Sequence, residues 1–394
     1  GRPWIGVAVQ GEGSHLWFPS FSVIYEEPET VDLHIIVPDT LVAVGNGTLI
    51  DTYSVVEGWK AWHWRVVNPI NNYNITVNVG KYVPIKREYG NLKASFWVID
   101  KPEWIESANE YMDKEVPELL DDFTELFGVP YPFPQDGYKL VYTPYWGMEH
   151  QSCVAYGNRF QKNGGTENCR FDYILLHETA HEWWGNSITA KSWQDIWIHE
   201  GFGTYAEALW VEHNCGKKEY FKYMASLRDK IKNKVPVAGE QRLHDPFADN
   251  DIYMKGAWIL HTLRSILNND SLFFKWMREI QKRFYHSHAS TQDLLNLLME
   301  LDSTTVKEKQ IPYIWAKYLI QEAKVPVLYI TKKNEKGSIM LKYSWKNWGL
   351  PFSLSFEGQT LNFSAEKGVI TLEKDVDLDK LRKAIESKFL IYVP

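Results

Sequence analysis

The run Tyr173-Ile-Leu-Leu-His-Glu-Thr-Ala-His-Glu-Trp-Trp184 constrains this chain most. Residues four apart on an α-helix lie on nearly one face, so His177 and His181 can aim both imidazoles at one cation. Ile174, Leu175, Leu176, Ala180 and Trp184 make the helix apolar around most of its circumference, which predicts burial. Two surface histidines on a solvated helix would show the same bare HExxH pattern, but not these neighbours. A buried helix carrying two His and a Glu needs partners for them. A metal is the economical partner, and zinc takes neutral imidazole nitrogens in a tetrahedral shell. Glu178 then stands beside the metal without having to bind it, where a carboxylate can take a proton from a polarised water.

A catalytic zinc has three protein ligands and an open fourth position. Glu200 is the candidate third ligand. It follows His181 after eighteen residues, past a break at Gly185-Asn186 and near the start of a second helical stretch. Two antiparallel helices joined by such a turn would return it beside the histidines. Its surroundings, Asp195-Ile-Trp-Ile-His-Glu-Gly-Phe-Gly-Thr-Tyr205, are rich in large apolar residues, which argues against a solvated charge.

Around this centre the chain reads as three parts, with boundaries expected at 1–90, 91–325 and 326–394. In the first, Val31–Val37 is an apolar-rich run ended by Pro38-Asp39. Leu41–Val44 meets the hairpin signal Gly45-Asn46-Gly47, and both Trp59–Val67 and Tyr73–Val79 alternate. These are strands of an antiparallel β domain. The domain is expected to be partial, because Gly1 already reads as its interior. From Pro102 to Phe127 the apolar period becomes helical, with Gly128 after the end. Further helical stretches are expected near 170–185, 195–213, 251–268, 272–284, 291–302 and 305–323. Tyr138–Tyr142 reads as a strand leading into the loop Pro144–His150. After Val325 strands return at Val327–Thr331, Ser338–Tyr343, Phe352–Phe356 and Gly368–Leu372, as in a small closing β-sandwich. The fold class is α+β and multidomain.

A formal charge of −7 gives no basic footprint for nucleic acid. No run of eighteen apolar residues predicts a membrane span. Three cysteines, Cys153, Cys169 and Cys215, are not a disulfide framework; a Cys153–Cys169 bridge is left open.

HExxH, eighteen residues, then Glu resembles the zinc signature of the gluzincin metallopeptidases. The flanking residues are similar to those of the M1 aminopeptidase family. His181-Glu-Trp-Trp-Gly-Asn186 resembles its HxWxGN, Trp193–Phe202 its WxDxWLNEGF, and Gly147-Met-Glu-His150 its GAMEN exopeptidase loop. Asp251-Ile-Tyr-Met-Lys-Gly-Ala257 resembles the segment carrying its catalytic tyrosine, and Val9-Gln-Gly-Glu12 its TQxE. The resemblance implies a thermolysin-like, mainly helical catalytic domain holding one zinc ion per chain through His177, His181 and Glu200. It implies Glu178 as general base and Tyr253 as oxyanion donor. Glu149 and Glu12 would bind the free amine of a peptide substrate, with Gly147 and Met148 along its backbone. Glu207 would support the centre from behind. A GMEH-type loop leans toward a protein exported by a bacterium. His150 and His199 depart from the family's Asn at both positions. No long helical segment follows the β-sandwich in this sequence; were that the natural end, a more open cleft would be expected. An endopeptidase or epoxide hydrolase could use the same zinc site. A non-catalytic relative would lack ligands or base that are all present in this chain.

Overall fold

The structure, a computed structural model, describes residues 3–11, 13–21, 23–335 and 337–394. The chain divides into two compact units. The first comprises Gly1–Trp193, Leu209–Glu219 and Ile280–Ser290; the second comprises Gln194–Ala208, Tyr220–Glu279 and Thr291–Pro394.

In the first unit, β1 (Ile5–Gly6), β3 (Val42–Gly45) and β6 (Val77–Gly80) form one sheet in the order β1-β6-β3. Strands β2 (Val31–Pro38), β4 (Thr48–Val56) and β5 (Trp59–Val66) form another in the order β2-β5-β4. The period-two pattern decides which face each residue takes. Leu33, Ile35, Trp62 and Trp64 join the core with Tyr82, Trp97 and Val141, while Asp32, His34 and Arg65 face outward.

A five-stranded sheet, ordered β10-β11-β9-β8-β7, carries the loop that matters for function. It contains β7 (Tyr82–Tyr89), β8 (Leu92–Ile99), β9 (Tyr138–Tyr142), β10 (Gly147–Met148) and β11 (Val154–Tyr156). Strands β8 and β9 are parallel, so their connection must cross over through helix. That crossover is α1 (Pro102–Glu110), a π-helical turn at Tyr111–Glu115, and α2 (Val116–Phe127). The expected single helix over Pro102–Phe127 is thus continuous but locally widened. Pro117 explains the π turn, because it has no N–H for the carbonyl of Asp113 and its ring crowds that group. Gly128 ends α2 at φ 74°, its N–H 2.9 Å from the Thr124 carbonyl. A β-hairpin, β12 (Gly164–Thr166) with β13 (Cys169–Phe171), leads into α3 (Tyr173–Ala180). The parallel pair β14 (Ile188–Ala190) and β15 (Ser287–Ala289) completes the unit's strands.

Helix α4 (Trp197–Cys215) begins in the second unit and ends in the first. There Cys215 is bridged to Cys169 on β13, while Cys153 is a free, buried thiol. The Cys153–Cys169 bridge left open by the sequence does not form. Cys153 lies in the core beside Trp97 and Val141, and burial pushes its thiol up to about 12. The actual bridge closes a sequence separation of 46 residues. Chain entropy then assigns it about 4 kcal/mol, so Cys215→Ser is expected to lower the unfolding free energy by up to that amount in a denaturant titration. No change would mean that the bridge restrains nothing.

The second unit contains α5 (Lys217–Arg228) from Tyr220 onward, α6 (Glu240–His244), α7 (Asp251–Leu267), most of α8 (Asp270–Arg283), α9 (Thr291–Leu301), α10 (Ser303–Glu308) and α11 (Ile311–Ala316). The stretch expected over 305–323 is broken at Gln310, which has φ 53° and precedes Pro312. The closing strands are β16 (Val327–Glu335), β17 (Ser338–Lys346), β18 (Phe352–Phe356), β19 (Gln359–Phe363) and β20 (Gly368–Leu372), in sheets β16-β17-β20 and β18-β19. One helix that the pattern analysis missed follows them. In α12 (Leu378–Lys388), Asp377 caps the first turn and Leu381 and Ile385 are buried one turn apart.

Candidate active site

Helix α3 is anchored at its start. Asp172 accepts a hydrogen bond from the Leu175 N–H at 3.1 Å and others from Tyr111, Tyr156 and Asn158 at 3.0, 2.5 and 2.7 Å. Ile174 to His181 are all buried, as the apolar circumference predicts. The Nε2 atoms of His177 and His181 stand 3.2 Å apart. His181 Nδ1 is 2.9 Å from the Trp184 carbonyl. A carbonyl only accepts, so Nδ1 carries the proton and Nε2 presents its lone pair. Two ligands of a tetrahedral zinc at about 2.0–2.1 Å stand about 3.3–3.4 Å apart. The pair therefore fits that ion in spacing and donor chemistry, and His181 fits it in tautomer as well.

Carboxylates surround the same point. Glu149, Glu178 and His181 each offer a ligand atom within 4.8 Å of the others, and Glu149 and Glu178 are 4% and 7% exposed. Two buried carboxylates so close together repel each other unless a cation or a proton offsets their charge. Gly147 makes the approach possible. A Cβ there would lie 2.5 Å from Glu178 Oε1 and 2.8 Å from Ile174 Cγ2. Gly147 and Met148 form β10, which pairs antiparallel with β11 on one side and is the edge of its sheet on the other. Tyr73 donates to Glu149 Oε1 at 3.1 Å. Asn186, four residues after Glu182, donates to the Glu149 carbonyl at 2.9 Å and accepts from Asn74 at 2.6 Å. The turn after the two histidines thereby holds the loop that presents Glu149.

The second unit places Glu200 and Tyr253 in the first turns of α4 and α7, Glu200 buried and Tyr253 half-buried. These two helices meet at Gly201 and Gly256. A Cβ on Gly201 would lie 3.1 Å from Gly256 Cα, and one on Gly256 would lie 2.9 Å from Gly201 Cα. Interior glycines cost a helix about 1 kcal/mol each, and close backbone approach is what they permit. Glu200 directly precedes Gly201 and Tyr253 lies three residues before Gly256, so this crossing fixes the helix starts that carry both residues. Asp251 fixes the start of α7 by accepting from the backbone N–H groups of Lys232 and Asn233 at 2.7 and 2.6 Å. The buried ion pair of Arg242 with Asp249, at 2.7 Å, braces the same turn.

The family model of the Peptidase family M1 domain matches residues 111–318, more than half of the chain. The chain belongs to peptidase family M1. Among curated members, the mouse endoplasmic reticulum aminopeptidase 1 is 24% identical over 67% of this chain and 30% of its own length. The Caenorhabditis elegans puromycin-sensitive aminopeptidase is 25% identical over 82% of this chain and 35% of its own. The chain thus spans about a third of the length of the curated relatives it matches. The M1 zinc metallopeptidase from Deinococcus radiodurans shares the fold, with a TM-score of 0.64 and 21% identity over 80% of this chain and 69% of that one.

Where this M1 chain departs from the family pattern, the structure shows the consequence at one position. His150 is fully buried, and burial holds its imidazole down at about 3, so it stays neutral at working pH. Its ring nitrogens have no hydrogen-bond partner among the described residues, unlike a satisfied structural histidine. His199 is buried in α4. Glu207 accepts a hydrogen bond from Tyr223. Glu12 lies outside the described residues. Pattern analysis missed Glu182, which accepts from the Ser152 N–H at 2.9 Å and Tyr131 at 3.1 Å; burial pushes its carboxyl up to about 8. Its place directly after His181 was the available signal.

Proposed function

We propose that this chain is a zinc-dependent aminopeptidase, hydrolysing the first peptide bond of peptides that carry a free amine. The convergence of two imidazoles and two buried carboxylates on one point, beside an edge strand, carries the reading. His177, His181 and Glu200 hold the ion; the eighteen-residue spacing and the burial of Glu200 support the third assignment. Zinc supplies a Lewis acid that polarises a carbonyl and makes a water acidic near neutral pH. Glu178 takes that water's proton at a carboxylate oxygen and delivers it to the departing amine. Tyr253 donates its hydroxyl to the oxyanion that develops on the scissile carbonyl. The open edge of β10 can pair with an extended substrate. Glu149 gives the terminal ammonium an ion pair that an internal peptide cannot use, and Glu12 is assigned to the same amine from its motif. The aminopeptidase names of the curated relatives agree with this reading.

Aminoacyl chromogenic amides with free and acetylated amines test it directly. Cleavage of the free-amine forms alone, lost on chelation and restored by zinc, is expected. Equal cleavage of acetylated forms would make the enzyme an endopeptidase. Glu149→Ala is expected to raise KM for free-amine substrates by about tenfold to a hundredfold, the scale of one charge-assisted contact. An unchanged KM would remove Glu149 from the amine.

A further inference from the structure

We propose that the outer face of the β2-β5-β4 sheet carries a second metal site, for an imidazole-seeking divalent ion such as Zn²⁺, Cu²⁺ or Ni²⁺. Antiparallel register sets His34 of β2 directly opposite His63 of β5, and His63 opposite Asp51 of β4. Asp32 lies two residues from His34, on the same face. The imidazole rings stack with centroids 4.0 Å apart and planes 17° from parallel. Asp32, His34 and His63 each offer a ligand atom within 4.8 Å of the others.

The bland alternative is a solvated patch of polar residues on an exposed sheet face. Three observations favour the metal. Directly opposed residues on an antiparallel pair hold their Cβ atoms about 4.5–5.5 Å apart, so this histidine pair is a chelate whose backbone is already fixed. His63 Nε2 lies 2.7 Å from Asp32 Oδ1, a hydrogen bond whose proton a bound ion would displace, leaving an imidazole and a carboxylate ligand side by side. Finally, both rings are oriented from their far nitrogens. Asp51 Oδ1 is 3.4 Å from His63 Nδ1, and the Tyr53 hydroxyl is 3.2 Å from His34 Nδ1. With its Nε2 proton displaced by the ion, His63 would keep its Nδ1–H toward Asp51 and ligate through Nε2, and His34, whose Nδ1 faces the Tyr53 hydroxyl, would present Nε2 in the same way. Arg65 Nε, 4.0 Å from Asp32 Oδ2, opposes a bound cation weakly across solvent. Two imidazoles and one carboxylate select borderline transition ions over Ca²⁺ and Mg²⁺, which prefer oxygen shells. The exposed face leaves further coordination positions to water.

The test is calorimetric titration of the full chain, carrying its catalytic zinc, with ZnCl₂. Uptake of one further zinc per chain is expected. That uptake should vanish in His34→Ala/His63→Ala while turnover of aminoacyl amides stays at the parent level. In Asp51→Asn, which keeps every ligand, the second zinc should bind about tenfold more weakly. With CuCl₂ as probe, the parent should show an electron spin resonance signal split by imidazole nitrogens, absent from the double variant. Absence of a second zinc in the parent, or one bound equally well by the double variant, overturns the site. Turnover reports on the first centre separately, so failure of one assignment leaves the other standing.

Discussion

Glu178→Gln is expected to lower kcat by about 10²–10⁴-fold, the usual contribution of a positioned acid–base group, with zinc retained. The argument rests on what the substitution preserves. Gln matches Glu in shape, so the close approach of Gly147 to Oε1, where a Cβ would stand only 2.5 Å away, is not disturbed. Both histidines keep their positions on α3, and the Nδ1–H of His181 keeps its bond to Trp184. Only the ability to take and return a proton is lost. Metal analysis and kcat on the same sample separate the outcomes. Normal turnover with bound zinc would remove the proposed base. Loss of zinc would instead mean that Glu178 is needed to hold the ion, a role this reading does not give it.

Much of the first centre was legible because its physics is local. Two histidines at helical spacing within an apolar run predict a buried metal-binding face, and α3 is buried as expected. The cap at Gly128 is equally local, whereas the hairpin signal at Gly45–Gly47 misled, because β3 pairs with β6 and β4 with β5 in separate sheets. Long-range pairings were not legible. Cys169 could have paired with either other cysteine, and no spacing rule points to Cys215 on a helix 46 residues away. Gly201 and Gly256 read singly as weak spots in two helices, and their contact exists only in three dimensions. The opposition of His34 and His63 depends on strand register, which the alternation of either strand alone leaves open. Helix α12 is a different failure, since Asp377, Leu381 and Ile385 carried a readable cap and period behind a run of strands.

Tyr253→Phe is expected to lower kcat by about 10²–10³-fold while KM stays near the parent value. Removing a single preorganised oxyanion donor has that scale, about 2.7–4 kcal/mol. The hydroxyl acts on charge that appears only as the carbonyl is attacked, so its loss should leave ground-state binding alone. The substitution is mild for the fold. Tyr253 is half-buried in the first turn of α7, and that turn is held by Asp251 and by the Gly201–Gly256 crossing. Phe keeps the ring and its packing, and the melting temperature of the variant checks that the fold is retained. An effect confined to KM would reassign Tyr253 to substrate binding. A variant indistinguishable from the parent would return the residue to the amphipathic face of α7 and leave the oxyanion to the metal alone.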